Sequence, residues 1–154
     1  MVDDTAISYP IMQTKDNPNF YLSHDFNKEY SFYGTPYLSA YCDLNQSDNL
    51  IIYSHNINGK RKFGALEYFL DKEYCEKHKK IYFTTDKKRG YVLFAVMSVN
   101  IKEFPFYKFT MARDENSFNR FVERIRVNSL VDMMSIGILG NELDIVQYFC
   151  KRLR

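Results

Sequence analysis

The chain has 154 residues, a length typical of one domain, and 45% of them are hydrophobic, which is enough to build a core. Aromatic residues make up 17% of the chain, with thirteen tyrosines and no tryptophan, and this composition favours strands over a helical bundle. The formal net charge is +2 and the basic residues are dispersed, so charge gives no argument for nucleic-acid binding.

The sequence contains no run of about 18 apolar residues that would span a bilayer, and its first residues lack the shape of a signal peptide. We therefore expect a cytosolic protein or one whose membrane anchor is absent from this chain. The cysteines Cys42, Cys75 and Cys150 are odd in number, so at least one thiol stays free. Repeats and Gly/Ser linkers are also absent from the sequence, which predicts one domain over residues 1–154.

Strand patterns dominate the first sixty residues and return after residue 80. Helical spacing occurs over 62–78 and 116–127. Pro10 marks the first strand as an edge strand, and Asp114 or Asn116 can cap the second helix. In chain order the patterns predict strands over 7–13, 33–42 and 50–57, a helix over 62–71 continued over 72–78, a hairpin of strands 80–85 and 91–101, a strand over 104–110, a helix over 116–127 and a closing strand over 143–149. Residues 131–139 fit neither pattern clearly.

Two side chains have the chemistry of a catalytic pair. His55 lies near the end of the predicted strand 50–57, and Cys150 follows the closing strand directly. A thiol nucleophile needs a base within contact, and the two need to meet only in space. The pair indicates a cysteine transpeptidase or hydrolase. Taken singly, His55 is also explained as a hydrogen-bonded structural residue and Cys150 as a buried, inert thiol.

Other kinds of site have weaker support. Cys75 and His78 are spaced i and i+3 on a predicted helix, and Cys42 and His55 would complete four zinc ligands, but the sequence lacks a second close pair. We therefore predict no metal site and no cofactor. The basic turn 87–89 is predicted to be a solvated hairpin tip and not a surface for nucleic acid.

Several segments carry motifs in a specific order. They are T-A-I-S-Y-P-I-M-Q over 5–13, D-N followed by Y-L over 16–22, G-T-P-Y-L over 34–38, I-I-Y-S-H-N-I over 51–57 and F-G-A-L over 63–66. They resemble T-x-I-x-Y-P-V-x-Q, D-N-x-x-Y-L, G-x-I-F-L, I-I-Y-G-H-N-M and F-x-x-L of the class B sortases. These are cysteine transpeptidases of the Gram-positive cell surface. The helix predicted over 116–127 is similar to the one that distinguishes class B members.

The resemblance implies a mostly β fold with peripheral helices, a sortase-like β-barrel with the class B helix before its last strands. It implies that Cys150 attacks the threonine carbonyl of a C-terminal sorting signal and that a peptidoglycan amine resolves the thioester. His55 would protonate the leaving amine and deprotonate the incoming one. The implied location is the extracellular face of the cell membrane of a Gram-positive bacterium.

The match is poorest at the end of the chain. Residues 146–150 are V-Q-Y-F-C where the family has T-L-x-T-C, so Phe149 replaces a threonine. The family's oxyanion-stabilising arginine lies on a following strand, and Arg152 and Arg154 stand too close behind Cys150 to match it. The alternative is a truncated or degenerate sortase-like protein with little activity that binds partners or self-associates. An incomplete C-terminal strand would leave an open edge for a homodimer.

Overall fold

The computed structural model describes residues 1–57, 61–140 and 146–152, with the backbone alone for 61–62, 132–140 and 146–152. The described part is mostly strands with a few helices, as predicted. The strands are β1 (Tyr37–Leu38), β2 (Ile52–Tyr53), β3 (Asn56–Ile57), β4 (Arg61–Lys62), β5 (Lys80–Thr84), β6 (Lys88–Val99), β7 (Val131–Gly140) and β8 (Val146–Arg152). The helices are α1 (Lys72–Lys77), α2 (Glu115–Val127) and 3-10 helices at Phe20–Leu22, Phe63–Leu70 and Phe106–Lys108.

The strands pair into three sheets. β1 pairs with β2, and β3 pairs with β4, both antiparallel. The third sheet has the order β5-β6-β7-β8, with β6 also pairing with β8. β6 is antiparallel to β5 and β8 and parallel to β7. The long strand β6 pairs with all three other strands of this largest sheet.

β6 supplies side chains to two separate hydrophobic clusters. Leu93 and Val96 pack with the Phe63–Leu70 helix and α1 in the first cluster. Ala95 and Met97 pack with α2 in the second. Successive side chains of a regular strand point to opposite faces, and the register of β6 against β7 shifts between Phe94 and Val96, so Leu93 and Ala95 pack in different clusters although they are two residues apart. β6 is thus buried on both sides, which fits its nearly continuous apolar sequence.

α2 confirms the helix predicted near residues 116–127. Asp114 is its N-cap and accepts a hydrogen bond from the Ser117 backbone N–H, while the Ser117 side chain accepts one from the Asp114 N–H. This reciprocal capping box satisfies two backbone donors at the helix start. Phe121 and Ile125 form the buried stripe, and the basic residues of the last turn suit the negative end of the helix dipole.

The helix predicted over 62–71 and 72–78 is present as two elements. Residues Phe63–Leu70 form a 3-10 helix, and Asp71 then caps α1 by accepting a hydrogen bond from the Tyr74 N–H. The extended backbone of Asp71 interrupts the helical conformation, so the prediction of one continuous helix is wrong. None of the helices in the described ranges is both long and apolar enough to cross a membrane.

The hairpin prediction is confirmed and the early strand predictions are too long. β5 and β6 pair across residues 85–87. The predicted strand 7–13 has only a bridge from Met12 to Tyr37, and the predicted strand 33–42 contains only β1. The Cys42 N–H instead donates to the Ser39 carbonyl, which closes a turn. Alternating apolar residues therefore mark buried irregular backbone here.

Two later predictions are corrected. Residues 104–110 form no strand, because Phe106–Lys108 is a 3-10 helix that begins after Pro105, and proline cannot donate to a strand ladder. The closing strand is β8, which runs to Arg152 and not to residue 149; residues 143–145 of that prediction lie outside the described ranges. The ambiguous segment 131–139 is strand β7.

The capping box predicts the stability of Asp114 variants. Asp114→Ala removes the acceptor for the Ser117 N–H and should lower the free energy of unfolding by about 1 kcal/mol. Asp114→Asn keeps a good N-cap side chain and should change it by much less. Urea denaturation of both variants measures the difference, and equal losses would show that the cap geometry is not what matters.

Candidate active site

His55 lies where the chain changes sheets. Residues 54 and 55 separate β2, which pairs with β1, from β3, which pairs with β4. The strand predicted over 50–57 is therefore interrupted at its histidine. Such a break frees the imidazole from the regular alternation of a strand. His55 is partly buried there.

The His55 ring is held by a backbone carbonyl. Its Nε2 atom lies 2.8 Å from the Leu22 carbonyl oxygen, which belongs to the Phe20–Leu22 helix. A carbonyl can only accept a hydrogen bond, so Nε2 carries the proton in this arrangement. In the neutral ring the lone pair is then on Nδ1, which becomes the nitrogen able to take up a proton.

Cys150 lies on a strand next to the one that leads to His55. It is the fifth residue of β8, opposite Leu93 of β6, and the strand continues for two more residues. Backbone Cα atoms of β8 come within 8 Å of those of β2. The fold therefore brings together the two strands on which the sequence placed its candidate pair.

Two tyrosines pair across β1 and β2, the strands that precede His55. Tyr37 and Tyr53 are cross-strand partners on β1 and β2, with ring centroids 5.3 Å apart. Burial raises the pKa of Tyr37 to about 12, and the neighbouring Tyr53 adds to the shift. Burial likewise raises the pKa of Tyr53 to about 12. Both phenols therefore stay neutral over the physiological range and serve as a packed aromatic pair.

The other two cysteines are buried in different clusters. The Cys42 Sγ donates to the Asn49 carbonyl, and the Cys75 Sγ donates to the Phe69 carbonyl at 2.9 Å. Burial raises the pKa of the Cys42 thiol, although its hydrogen bonds to Ile51 and Ser39 oppose this. Burial also raises the pKa of Cys75 to about 11. Both are free thiols with little thiolate, which is the reactive form.

The four residues considered as zinc ligands have separate partners. Cys42 and Cys75 bond to the carbonyls given above, His55 to that of Leu22, and His78 Nδ1 lies 3.2 Å from the Asp3 carbonyl. The described ranges contain no group of three or more His, Cys, Asp or Glu residues able to hold a metal ion. The geometry gives these residues structural hydrogen bonds.

The basic turn at the tip of the β5–β6 hairpin makes contacts within the hairpin. Arg89 donates to the Thr85 hydroxyl at 2.8 Å and lies 3.6 Å from the Asp86 carboxylate. The Lys88 Nζ lies 3.9 Å from the centre of the Tyr82 ring. Lys88 and Arg89 thus contact side chains of their own hairpin.

The Leu22 carbonyl is the part of the site that sequence reasoning missed. It acts through its backbone, so the identity of residue 22 carries no direct sign of it. The preceding Asn17 carbonyl accepts from the Phe20 N–H, which starts the 3-10 turn that presents Leu22. A turn signal at Asn17 and Pro18 was the only available hint.

Comparison with known proteins bears on the fold and on the family resemblance. The chain is 28% identical over 130 residues to sortase B of Staphylococcus aureus, a match that covers 83% of this chain and 52% of that protein. It is 38% identical over 77 residues to sortase B of Listeria monocytogenes, over 49% of this chain and 30% of that protein. The matches thus span about half, or less, of these relatives. No family model matches the chain.

Solved structures of sortase B superpose on this chain over its full length. Sortase B of Clostridium perfringens superposes with a TM-score of 0.86 at 23% identity, covering 100% of this chain and 91% of that one. A complex of Staphylococcus aureus sortase B with a substrate gives 0.85 at 21% identity, covering 100% and 78%. The chain is related to the class B sortases. The predicted sortase B fold and the class B resemblance are therefore confirmed.

The buried tyrosine pair of this sortase relative predicts a stability loss at high pH. An unfolded tyrosine ionises near its usual pKa of about 10, whereas Tyr37 holds its proton to about 12. Between these values the folded state binds more protons, so the free energy of unfolding falls as pH rises. Tyr37→Phe should make that fall less steep.

Urea midpoints measured across this alkaline range test the expectation. The matched control is Tyr30→Phe, because Tyr30 is 76% exposed and the change should leave the slope as it is in the wild type. Equal slopes for the Tyr37→Phe variant and the wild type would contradict the role given to burial.

The buried thiols predict selective resistance to alkylation. Cys42 and Cys75 are 1% and 0% exposed, and both have raised pKa values, so iodoacetamide should modify them far more slowly in the folded protein than in urea. Peptide mapping by mass spectrometry separates the two sites. Rapid native modification of Cys75 would contradict this reading of its surroundings.

Proposed function

We propose that this chain is a cysteine transpeptidase that cleaves a C-terminal sorting signal at a threonine and passes the upstream protein through a thioester to a peptidoglycan amine. The observation that carries the proposal is the packing of β8, which contains Cys150, against β2, which leads to His55. The relationship to the class B sortases supports the same chemistry.

The proposed reaction has two acyl-transfer steps. His55 takes the proton of the Cys150 thiol, and the resulting thiolate attacks the threonine carbonyl carbon. As the tetrahedral intermediate collapses, the peptide C–N bond breaks and the departing nitrogen takes that proton from His55. An incoming amine then attacks the thioester carbon and gives a proton to His55, and the C–S bond breaks. The cysteine and the histidine return to their starting states.

The Leu22 contact supports this role for the histidine. Because Nε2 donates to the Leu22 carbonyl, Nδ1 is the nitrogen that we propose exchanges protons with the two amines. Holding one nitrogen in a fixed hydrogen bond orients the other, as the third member of a catalytic triad does. No residue of 151–154 is matched to the family's arginine, so the assigned roles are limited to Cys150 and His55.

The proposed partners follow from the acyl donor and acceptor. The donor is a sorting-signal peptide at the end of a surface protein, and a substrate complex is known for sortase B of Staphylococcus aureus. The acceptor is an amine of a peptidoglycan precursor. We place the reaction at the extracellular face of the cell membrane of a Gram-positive bacterium, where these two meet.

Intact-mass spectrometry with a sorting-signal peptide tests the proposal. The wild-type chain should gain the mass of the acyl fragment upstream of the scissile bond, and hydroxylamine should release it as a hydroxamate. Cys150→Ala should form no adduct. His55→Ala should slow peptide cleavage by roughly 10²- to 10⁴-fold, because it removes the proton-transfer group.

Cys75→Ala is the matched control, because it removes a thiol that lies buried in the core. This variant should still form the adduct. An adduct that survives Cys150→Ala would overturn the nucleophile. Absence of both adduct and cleavage in the wild type would favour a sortase-like protein that binds partners or self-associates without turnover.

A further inference from the structure

Two successive carbonyls of the Phe20–Leu22 helix are both occupied. The Tyr21 carbonyl accepts from the Thr35 N–H at 2.9 Å, and the Leu22 carbonyl accepts from His55 Nε2 at 2.8 Å. Tyr21 is only 2% exposed, so this short helix is anchored from inside. The position of the Leu22 oxygen, and with it that of the His55 ring, thus depends on what packs against these two carbonyls.

Gly34 packs against both of them. A Cβ atom added at Gly34 would lie 2.4 Å from the Leu22 oxygen and 2.4 Å from the Tyr21 oxygen. Distances below 3.0 Å essentially never occur for real Cβ atoms, so the carbonyls would have to move. Gly34 also has φ +50°, in the left-handed region that favours glycine. Its N–H donates to the Ser31 carbonyl, which fixes the turn.

We propose that Gly34 is a positioning residue for His55. Because Gly34 has no side chain, the Leu22 carbonyl can occupy the position in which its oxygen accepts a hydrogen bond from Nε2. This contact keeps the neutral ring in the Nε2–H form, with its lone pair on Nδ1. Any side chain at position 34 would displace the carbonyl and disturb its hydrogen bond with Nε2. The catalytic part of this inference rests on the proposed function, whereas the ring state does not.

The ring state is measured directly by NMR. Nitrogen-15 spectra of the full chain at a pH where His55 is neutral distinguish the Nε2–H from the Nδ1–H form, and loss of signals in His55→Gln assigns them. The wild type should show the Nε2–H form. A wild-type ring in the Nδ1–H form would overturn the proposal, even if no variant at position 34 folds.

Two substitutions separate space from backbone strain. Asn adopts positive φ more readily than Ala, but both carry the Cβ atom that meets the carbonyls. Gly34→Ala and Gly34→Asn should therefore both lose the pure Nε2–H form and lower kcat for peptide cleavage by roughly ten- to a hundredfold, with a smaller effect on KM. A Gly34→Asn variant that keeps the wild-type ring state and kcat would overturn the proposal.

A remote core change controls for general loss of stability. Ile125→Val lies in the α2 cluster, which contains neither Gly34 nor His55, and should leave the His55 ring state and kcat unchanged. His78 is an internal reference, because its ring lies by the Asp3 carbonyl. If the wild type has the predicted ring state but cleaves no peptide, the proposed function fails and the positioning stands.

Discussion

The hydrogen bond from His55 to the Leu22 carbonyl links residues 33 positions apart and is the constraint on which the candidate site depends. It ties the N-terminal 3-10 turn to the point where β2 gives way to β3. A backbone acceptor suits this task because its position is set by several neighbours at once. Thr35 holds the adjacent carbonyl, and Gly34, which has no side chain, leaves room for both. The Leu22 contact thus orients the imidazole through the main chain.

The rest of the fold positions β8, the strand that carries the second candidate residue, Cys150. β6 is buried on both faces and pairs with three strands, so it fixes β8 in the largest sheet. β8 in turn lies against β2. Residues near the start of the chain therefore hold the histidine, and the strand that carries the cysteine comes from the end of the chain. Chemistry by residues so far apart in sequence requires this convergence.

The elements predicted well from sequence are those whose local signals agree with their packing. α2 has a cap, an amphipathic stripe and basic residues in its last turn, and the β5–β6 hairpin has apolar runs on both sides of a polar turn. The segments 7–13 and 104–110 were predicted as strands because apolar residues recur there. In the structure these segments are irregular, and their apolar side chains pack on the core. Periodicity alone does not distinguish such a segment from a strand.

Candidate site residues could be proposed from the sequence, whereas their geometry could not. His55 was identified from its motif, but the break in the strand at Ser54 and His55 arises from pairing with two different partners, β1 and β4. The Leu22 carbonyl has no side-chain signature. In the sequence Gly34 is only the first residue of the G-T-P-Y-L motif, whereas its close approach to two carbonyls emerges only when residues 20–22 and 34 are brought together.

The distance between the Cys150 sulfur and His55 Nδ1 in a crystal structure of this chain tests the central claim most directly. The account predicts that the sulfur faces the Nδ1 edge of the ring at a separation of roughly 3 to 5 Å, since an unliganded nucleophile and base are often somewhat beyond hydrogen-bond reach. It also predicts Nε2 on the Leu22 carbonyl. A sulfur on the face of β8 that points away from the His55 ring, with no path for contact between the two, would contradict the account.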